Sequence, residues 1–321
     1  MEDTIRRFGE QFAWKPVVEH AESLREYKYY IVSGMGGSHL GAWLIKKYGN
    51  KNNIFIHRGY GLPDLPKEIF ENALIILSSY SGSTEEVLDT ARAALDKGLP
   101  MAGIMKGGKL LEFAREHTIS HVIIPDTDLE PRMAIGFSML GLAALMKNTK
   151  LEDDIRAAGK ATNPGVGEAE GSRIGGLLNG KIPLIYSSAA NTPLTYIWKI
   201  KFNETSKIPA FCNVFPELCH NELSGFDVVD STRPLSAQMH AIFLDDETDI
   251  QRNKDRMRVA FEVVSERGIQ ATHVPLAGSG FAKAFETALL ADWVSLSLAK
   301  GYNVPNPETP LIADFKKRIV R

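Results

Sequence analysis

Residues 78–84 place four serines and one threonine around Gly82, between an apolar run and a helical pattern. Short hydroxyls and backbone N–H groups at a helix N-terminus hold a phosphate dianion without adding positive charge. Ser79, Ser81 and Thr84 are the candidate donors, and Gly82 lets the backbone come close or take positive φ. Helix capping by Ser81-x-x-Thr84 or Thr84-x-x-Val87 accounts for one such hydroxyl. Five at one strand end point to phosphate.

A second loop, Gly34-Met-Gly-Gly-Ser-His, follows the β-rich run 29–32. A dinucleotide fingerprint needs glycine at position 39, which is histidine. It also needs an acidic residue about twenty positions on, where the chain has Ile56-His-Arg-Gly. NAD binding is therefore the second reading for this loop. The first is another wall of the phosphate pocket, with Gly37 and Ser38 lining it.

The densest chemistry lies further on, where Glu204, Lys207, Glu217, His220 and Glu222 stand in one short stretch. Moving a proton between adjacent sugar carbons needs a carboxylate of modestly raised pKa. Opening the sugar ring needs a group that titrates near neutrality, which suits histidine. Taken singly, a glutamate is more often a solvated charge. His220 and Glu222, at i and i+2, diverge on a helix, and no other cluster has metal-ligand spacing. No metal or cofactor is expected.

These groups need a scaffold, and the pattern supplies one. Strand-like runs at 29–32, 53–57, 73–77, 101–105 and 121–124 alternate with helical segments, the last at 133–147. After a glycine-rich, charged connector at 159–176 the rhythm restarts with strands at 182–186, 239–244 and 271–275. Helices are expected from 193, over 249–267 and over 281–299, then a short basic helix near the end. Alternation of this kind predicts parallel, doubly wound sheets with ligands beyond the strands' carboxyl ends. The first twenty-five residues read as helical, with Ile5, Phe8, Phe12 and Val17 or Val18 in register.

At 321 residues, 44% hydrophobic and 24% charged, the chain suits two cores. A formal net charge of −2 offers no field for nucleic acid or anionic lipid. Two cysteines, Cys212 and Cys219, imply a reducing compartment, and no signal peptide or membrane span is expected. The location expected is cytoplasmic.

The glycine loop and the serine loop, in this order, resemble the sugar isomerase (SIS) domain. The pattern Asn203-Glu204-x-x-Lys207-x-Pro209-Ala210-Phe211, then Pro216-Glu217-x-x-His220-Asn221-Glu222, is similar to that of bifunctional phosphoglucose/phosphomannose isomerases. So are Glu130-Pro131-Arg132 and the segment Thr309-Pro310 to Lys316. The resemblance spans nearly the whole chain. It implies an α/β fold of two SIS-type three-layer αβα sandwiches with parallel five-stranded, flavodoxin- or Rossmann-like sheets, over 26–158 and 175–321, after a helical segment 1–25.

The resemblance also implies roles. Ser38, Ser79, Ser81 and Thr84 hold the phosphate; Glu204 shuttles a proton between C2 and C1 through a cis-enediol(ate). Arg132 steadies the enediolate, and His220, donated across a homodimer interface, opens the ring. Lys316 assists at the ring oxygen, and Thr309 leaves room for either C2 epimer. The implied reaction is metal-free interconversion of glucose 6-phosphate and mannose 6-phosphate with fructose 6-phosphate. A narrower glucose 6-phosphate isomerase and a non-enzymatic sugar-phosphate sensor are the alternatives. Against the family pattern, His39 replaces a small residue, Ser83 an asparagine, Thr205 and Ser206 an asparagine and an alanine, and Cys219 a small polar residue.

Overall fold

The computed structural model describes residues 1–305 and 309–319. It divides into two compact units: Arg7–Asn163 with Ser279–Phe285, and Met1–Arg6, Pro164–Gly278 and Glu286–Arg321.

The sheet of the first unit contains β1 (Val18–Glu19), β2 (Tyr29–Ser33), β3 (Ile54–His57), β4 (Ala73–Ser79), β5 (Met101–Met105) and β6 (Ser120–Ile123), in the order β1-β6-β5-β4-β2-β3. Five strands run parallel, and β1 pairs antiparallel with β6. Every residue of β4 is buried, as its unbroken apolar run requires of a strand covered on both faces. Ile75, Leu77, Val87, Ala91 and Leu110 form part of one core between sheet and helices. The helix Glu85–Asp96 follows β4, and Gly98 beyond its end takes φ +61°. From β2 the chain turns to β3 on one side and then to β4 on the other, with Ser33 opposite Leu77. The loops leaving β2 and β4 therefore face one crevice at the point where strand order reverses.

The second sheet contains β7 (Ile182–Ser188), β8 (Phe211–Phe215), β9 (Met239–Asp245) and β10 (Gln270–Pro275), all parallel, in the order β10-β9-β7-β8. It reverses between β7 and β9. Four strands stand here among the described residues, not five. After β10 the chain passes Leu276 to Ser279 and enters the long helix Gly280–Gly301, so no further extended run is left. Strand β8 was not expected: it is an edge strand with Phe211 55% exposed, so burial leaves no alternating signature.

The N-terminal segment also departs from expectation. It is the α-helix Glu2–Arg6, a 3-10 turn Phe8–Ala13, β1, and a second 3-10 turn Ala21–Ser23. Ile5, Phe8 and Phe12 are buried as their spacing requires, but Val17 is 75% exposed. Pro16 lacks an N–H and disfavours the α conformation of the residue before it, which ends the helical run. Much of the glycine-rich connector is helical, in Thr149–Ala161 and Glu168–Leu177. No helix among the described residues is long and apolar enough to cross a membrane.

In the second unit Phe243 is fully buried, its ring 5.6 Å from Tyr186, 6.1 Å from Phe215 and 5.5 Å from Phe261. Replacing Phe243 by alanine is expected to cost about 3–5 kcal/mol, read as an earlier urea midpoint. A loss below about 1 kcal/mol would show that this core closes over the gap.

Candidate active site

Backbone packed on backbone builds the candidate phosphate cradle. Gly82 takes φ +66°, and a Cβ there would lie 1.6 Å from the carbonyl oxygen of Gly107. Gly108, at φ +70°, faces Ser81 and Ser83, where a Cβ would lie 2.6 Å from the Ser81 carbonyl oxygen. The Lys106 N–H donates to the Tyr80 carbonyl at 3.0 Å, and the Leu110 N–H to that of Gly82 at 2.8 Å. The loop after β5 thus clamps the loop after β4. Lys106 itself reaches Asp126 at 2.6 Å, which raises the pKa of its ammonium.

The hydroxyls then fall into place. Ser79, fully buried, shares a 2.7 Å hydrogen bond with Thr84 Oγ1 and accepts from the Thr84 N–H at 3.4 Å. Ser81 is exposed and accepts from the Ser83 N–H at 3.3 Å. Ser38 Oγ accepts from the Tyr80 N–H at 3.0 Å, while its carbonyl accepts from Ser78 Oγ at 2.7 Å. Two loops 40 residues apart are thereby stitched into one wall. Thr84 stands at the N-cap of the helix Glu85–Asp96, but its side chain makes no capping hydrogen bond, so capping does not explain its hydroxyl.

Gly37 joins the third piece. A Cβ on it would stand 2.7 Å from the carbonyl carbon of Pro131 and 2.8 Å from the Arg132 nitrogen. Only glycine allows the 3-10 turn Gly36–His39 to lie against the turn Pro131–Met133. Arg132 is fully buried, with Nη1 3.5 Å from Glu130 Oε2. The structure therefore brings Gly37, Ser38, Ser79, Ser81, Thr84 and the Arg132 backbone together beyond the carboxyl ends of the central strands of the first sheet.

His39 points neither at solvent nor outward as a spare donor. Its ring is fully buried, 5.5 Å from that of Trp43, on whose other contact lies the Arg58 guanidinium. Burial first, and then the charge of Arg58, push its pKa down to about 4. It is a neutral core residue beneath the loop.

Glu204, Thr309, Lys316 and His220 belong to the other unit. Glu204 is half-buried in a π-helical turn, Phe202–Ser206, that continues the helix Thr192–Lys201. Lys207 ends the turn at φ +57° and donates to the Glu204 carbonyl at 2.6 Å. Single π turns inside α-helices are uncommon and cluster at functional positions. Wider π pitch left no trace in the sequence pattern.

His220 is exposed at the end of the 3-10 turn Glu217–His220, beyond the carboxyl end of β8. Cys219 packs against the apolar core instead, so the adjacent thiol and imidazole diverge. Two residues on, Glu222 is held by Tyr186 Oη at 2.6 Å and Asn213 Nδ2 at 2.5 Å. Burial and this carboxylate raise the Tyr186 pKa, so its hydroxyl stays a donor. Among the residues near the cradle and His220, the Gly107-Gly108 clamp and the Tyr186–Asn213–Glu222 anchor escaped the sequence reading. The glycine pair after the fourth parallel run was a visible signal; the anchor was not, since its members come from three separate elements.

Thr309 is half-buried and its carbonyl accepts from the Ala313 N–H at 3.1 Å. Lys316 is exposed on the helix Pro310–Ile319, none of whose residues is buried.

The second sheet offers a contrast. At its own reversal point Asn191 donates to Asp246 at 2.9 Å and to Asp249 at 3.4 Å. Thr248 closes on Asp246 through its N–H and hydroxyl, at 2.9 and 2.6 Å. This crevice carries carboxylates where the first carries hydroxyls.

Parallel α/β sheets with a hydroxyl cradle at the first reversal point define an SIS-domain protein. The family model for the bacterial phospho-glucose isomerase C-terminal SIS domain matches residues 168–319. A bifunctional phosphoglucose/phosphomannose isomerase of Caldicellulosiruptor bescii is 32% identical over 86% of this chain and 85% of its own length. The enzyme so named from Aquifex aeolicus is 29% identical over 98% of this chain and 97% of its own. Among solved structures, a glucosamine-6-phosphate deaminase of Thermotoga maritima shares the fold at a TM-score of 0.65, with 16% identity over 94% of this chain and 92% of that one. The chain belongs to the bifunctional phosphoglucose/phosphomannose isomerase family.

Two outcomes follow from this geometry. Gly82→Ala, strained at positive φ and pressed on Gly107, is expected to raise KM for a sugar 6-phosphate at least about tenfold while leaving kcat the smaller change. Steady-state kinetics decides it, and an unchanged KM would remove the loop from phosphate binding. His39 falls from its ordinary 6.5 to about 4 on folding. A group buried neutral stabilises the fold above pH 6.5 and loses that contribution as pH falls through the window toward 4. The difference is worth about 3 kcal/mol. Urea midpoints measured from pH 7 to 4 should fall less steeply for His39→Gln than for the parent; parallel slopes would refute the assignment.

Proposed function

We propose that the protein interconverts glucose 6-phosphate and mannose 6-phosphate with fructose 6-phosphate, using the first unit's cradle for the phosphate and Glu204 as the proton carrier. The cradle is the observation that carries this reading: Ser38, Ser79 and Thr84 surround a helix N-terminus with neutral donors, the environment a phosphate dianion requires. Glu204 takes the C2 proton of the open aldose, and electrons move to give an enediolate across C1 and C2. Returning that proton to C1, while the O2 hydroxyl proton passes to O1, leaves O1 a hydroxyl and O2 a carbonyl and completes the ketose. The buried Arg132 guanidinium is read as the charge that steadies the negative oxygen. Lys316 and Thr309 serve at the ring oxygen and near C2, with Thr309 admitting either epimer.

His220 is read as a ring-opening group that serves a second copy's site. Supporting this, the helix and π turn from Thr192 to Ser206 run back from the carboxyl end of β7 toward the start of β8, whereas His220 follows the end of β8. A five-residue strand spans about 16 Å, so the two groups flank opposite ends of one strand. The exposed apolar side chains Leu311, Phe315 and Ile319 on the helix Pro310–Ile319 also suit a homodimer. The two free cysteines fit a reducing location such as the cytoplasm.

Glu204→Gln is expected to bind fructose 6-phosphate normally and lose turnover by about three orders of magnitude or more. Undiminished turnover would exclude Glu204 as the base. A coupled assay with mannose 6-phosphate separates the bifunctional enzyme from a glucose-only one. Mixing Glu204→Gln with His220→Ala should restore activity if one intact site forms in each heterodimer. No restoration, with exchange of subunits verified, would place both groups within one chain.

A further inference from the structure

The turn that carries Glu204 is held by side chains that the reaction itself does not use. Lys201, the last residue of the helix Thr192–Lys201, is 1% exposed, and its ammonium lies 2.5 Å from a carboxylate oxygen of Asp292, itself 5% exposed as a side chain. On one side of this pair, Trp198 Nε1 donates to the Thr287 carbonyl at 3.1 Å. On the other, Ser206 Oγ donates to the Ser295 carbonyl at 2.7 Å, and Ser295 Oγ turns back to the Asp292 carbonyl at 3.0 Å. All three partners lie along the helix Gly280–Gly301, on residues of the same compact unit as Glu204.

The spacing of the anchors is what matters. In an α-helix, position 201 shares its face with 204, 205 and 208, and 206 points elsewhere. A bond from Ser206 to the same partner helix, five residues after Lys201, is the spacing of a π turn. Were the turn to relax to α geometry, Ser206 would leave Ser295 and Glu204 would rotate with it. The ammonium at the end of the α-helical part also meets the negative end of its dipole.

Stability alone gives no reason for this arrangement. A buried ion pair is commonly replaceable by apolar side chains of similar volume with no loss of stability, while it fixes geometry tightly. We propose that the buried Lys201–Asp292 pair is a positioning device for Glu204, holding the π turn that sets the direction of its carboxylate. The proposal rests on the reading of Glu204 as the proton carrier.

The test replaces both charges together, Lys201→Met with Asp292→Leu, in the full chain. The melting temperature is expected to stay near that of the parent and KM for fructose 6-phosphate within about twofold, while kcat falls about 100-fold, the scale of an ångström's misplacement. Should that variant fail to fold, Ser206→Ala removes a different anchor without burying a charge, and its kcat is expected to fall about tenfold at unchanged KM. Lys201→Arg, which keeps the pair, is expected to restore most of kcat. In a Glu204→Gln background the paired replacement should lower the residual turnover no further, because its effect acts through the carboxylate. A stable double variant with parental kcat, an unchanged Ser206→Ala, or a full further loss in the Glu204→Gln background would each overturn the proposal. Glu204→Gln with parental turnover would instead defeat the underlying reading.

Discussion

Gly82 against Gly107 is the contact on which the first unit's chemistry depends. With no room for a Cβ, the loop after β4 is pressed onto the loop after β5, and its positive φ turns the chain so that Ser79 and Thr84 meet. Ser38 then completes the wall by accepting from Tyr80, and Gly37 brings in the turn that bears Arg132. Each step needs the one before it, because hydroxyls bind an anion well only when their positions are fixed beforehand. The rigidity comes from glycine, a residue usually associated with freedom. Here its lack of a side chain is used for closeness.

On the proposed reading, the second unit has a different problem, that of aiming one carboxylate. It uses a π turn, closed by left-handed Lys207 and tied to a neighbouring helix. The loop bearing His220 is tied in another way, through the burial of Glu222 between Tyr186 and Asn213. In both cases the group at the surface is governed by a charged or polar residue held nearby. Removing such a partner leaves a buried polar group unsatisfied, so these supports tolerate little change.

Much of this was legible in the sequence where local pattern and burial agree. The unbroken apolar run of β4, Gly98 past its helix and the cluster of hydroxyls each carried its own signal. The failures have specific causes. The helical run that Ile5, Phe8 and Phe12 began stops as α-helix at Arg6 and continues as a 3-10 turn to Ala13, and Pro16 ends it before β1. At β8 an edge position left Phe211 in solvent, without the alternation of a half-buried strand. The π turn depends on Thr287, Asp292 and Ser295, about ninety residues away, and no window along the chain contains that information. Imidazole burial at His39 likewise follows from Trp43 and the loop above it.

The two reversal points share a topology and differ in sign. In the first sheet the strand ends present hydroxyls and helix N–H groups; in the second, Asn191 and Thr248 are already engaged by Asp246, with Asp249 beside them. On the proposed reading of the first cradle as the phosphate site, the carboxylates of Asp246 and Asp249 give the second reversal point a like charge that disfavours the same ligand. A swap of hydroxyl for carboxylate would then distinguish two reversal points of the same topology.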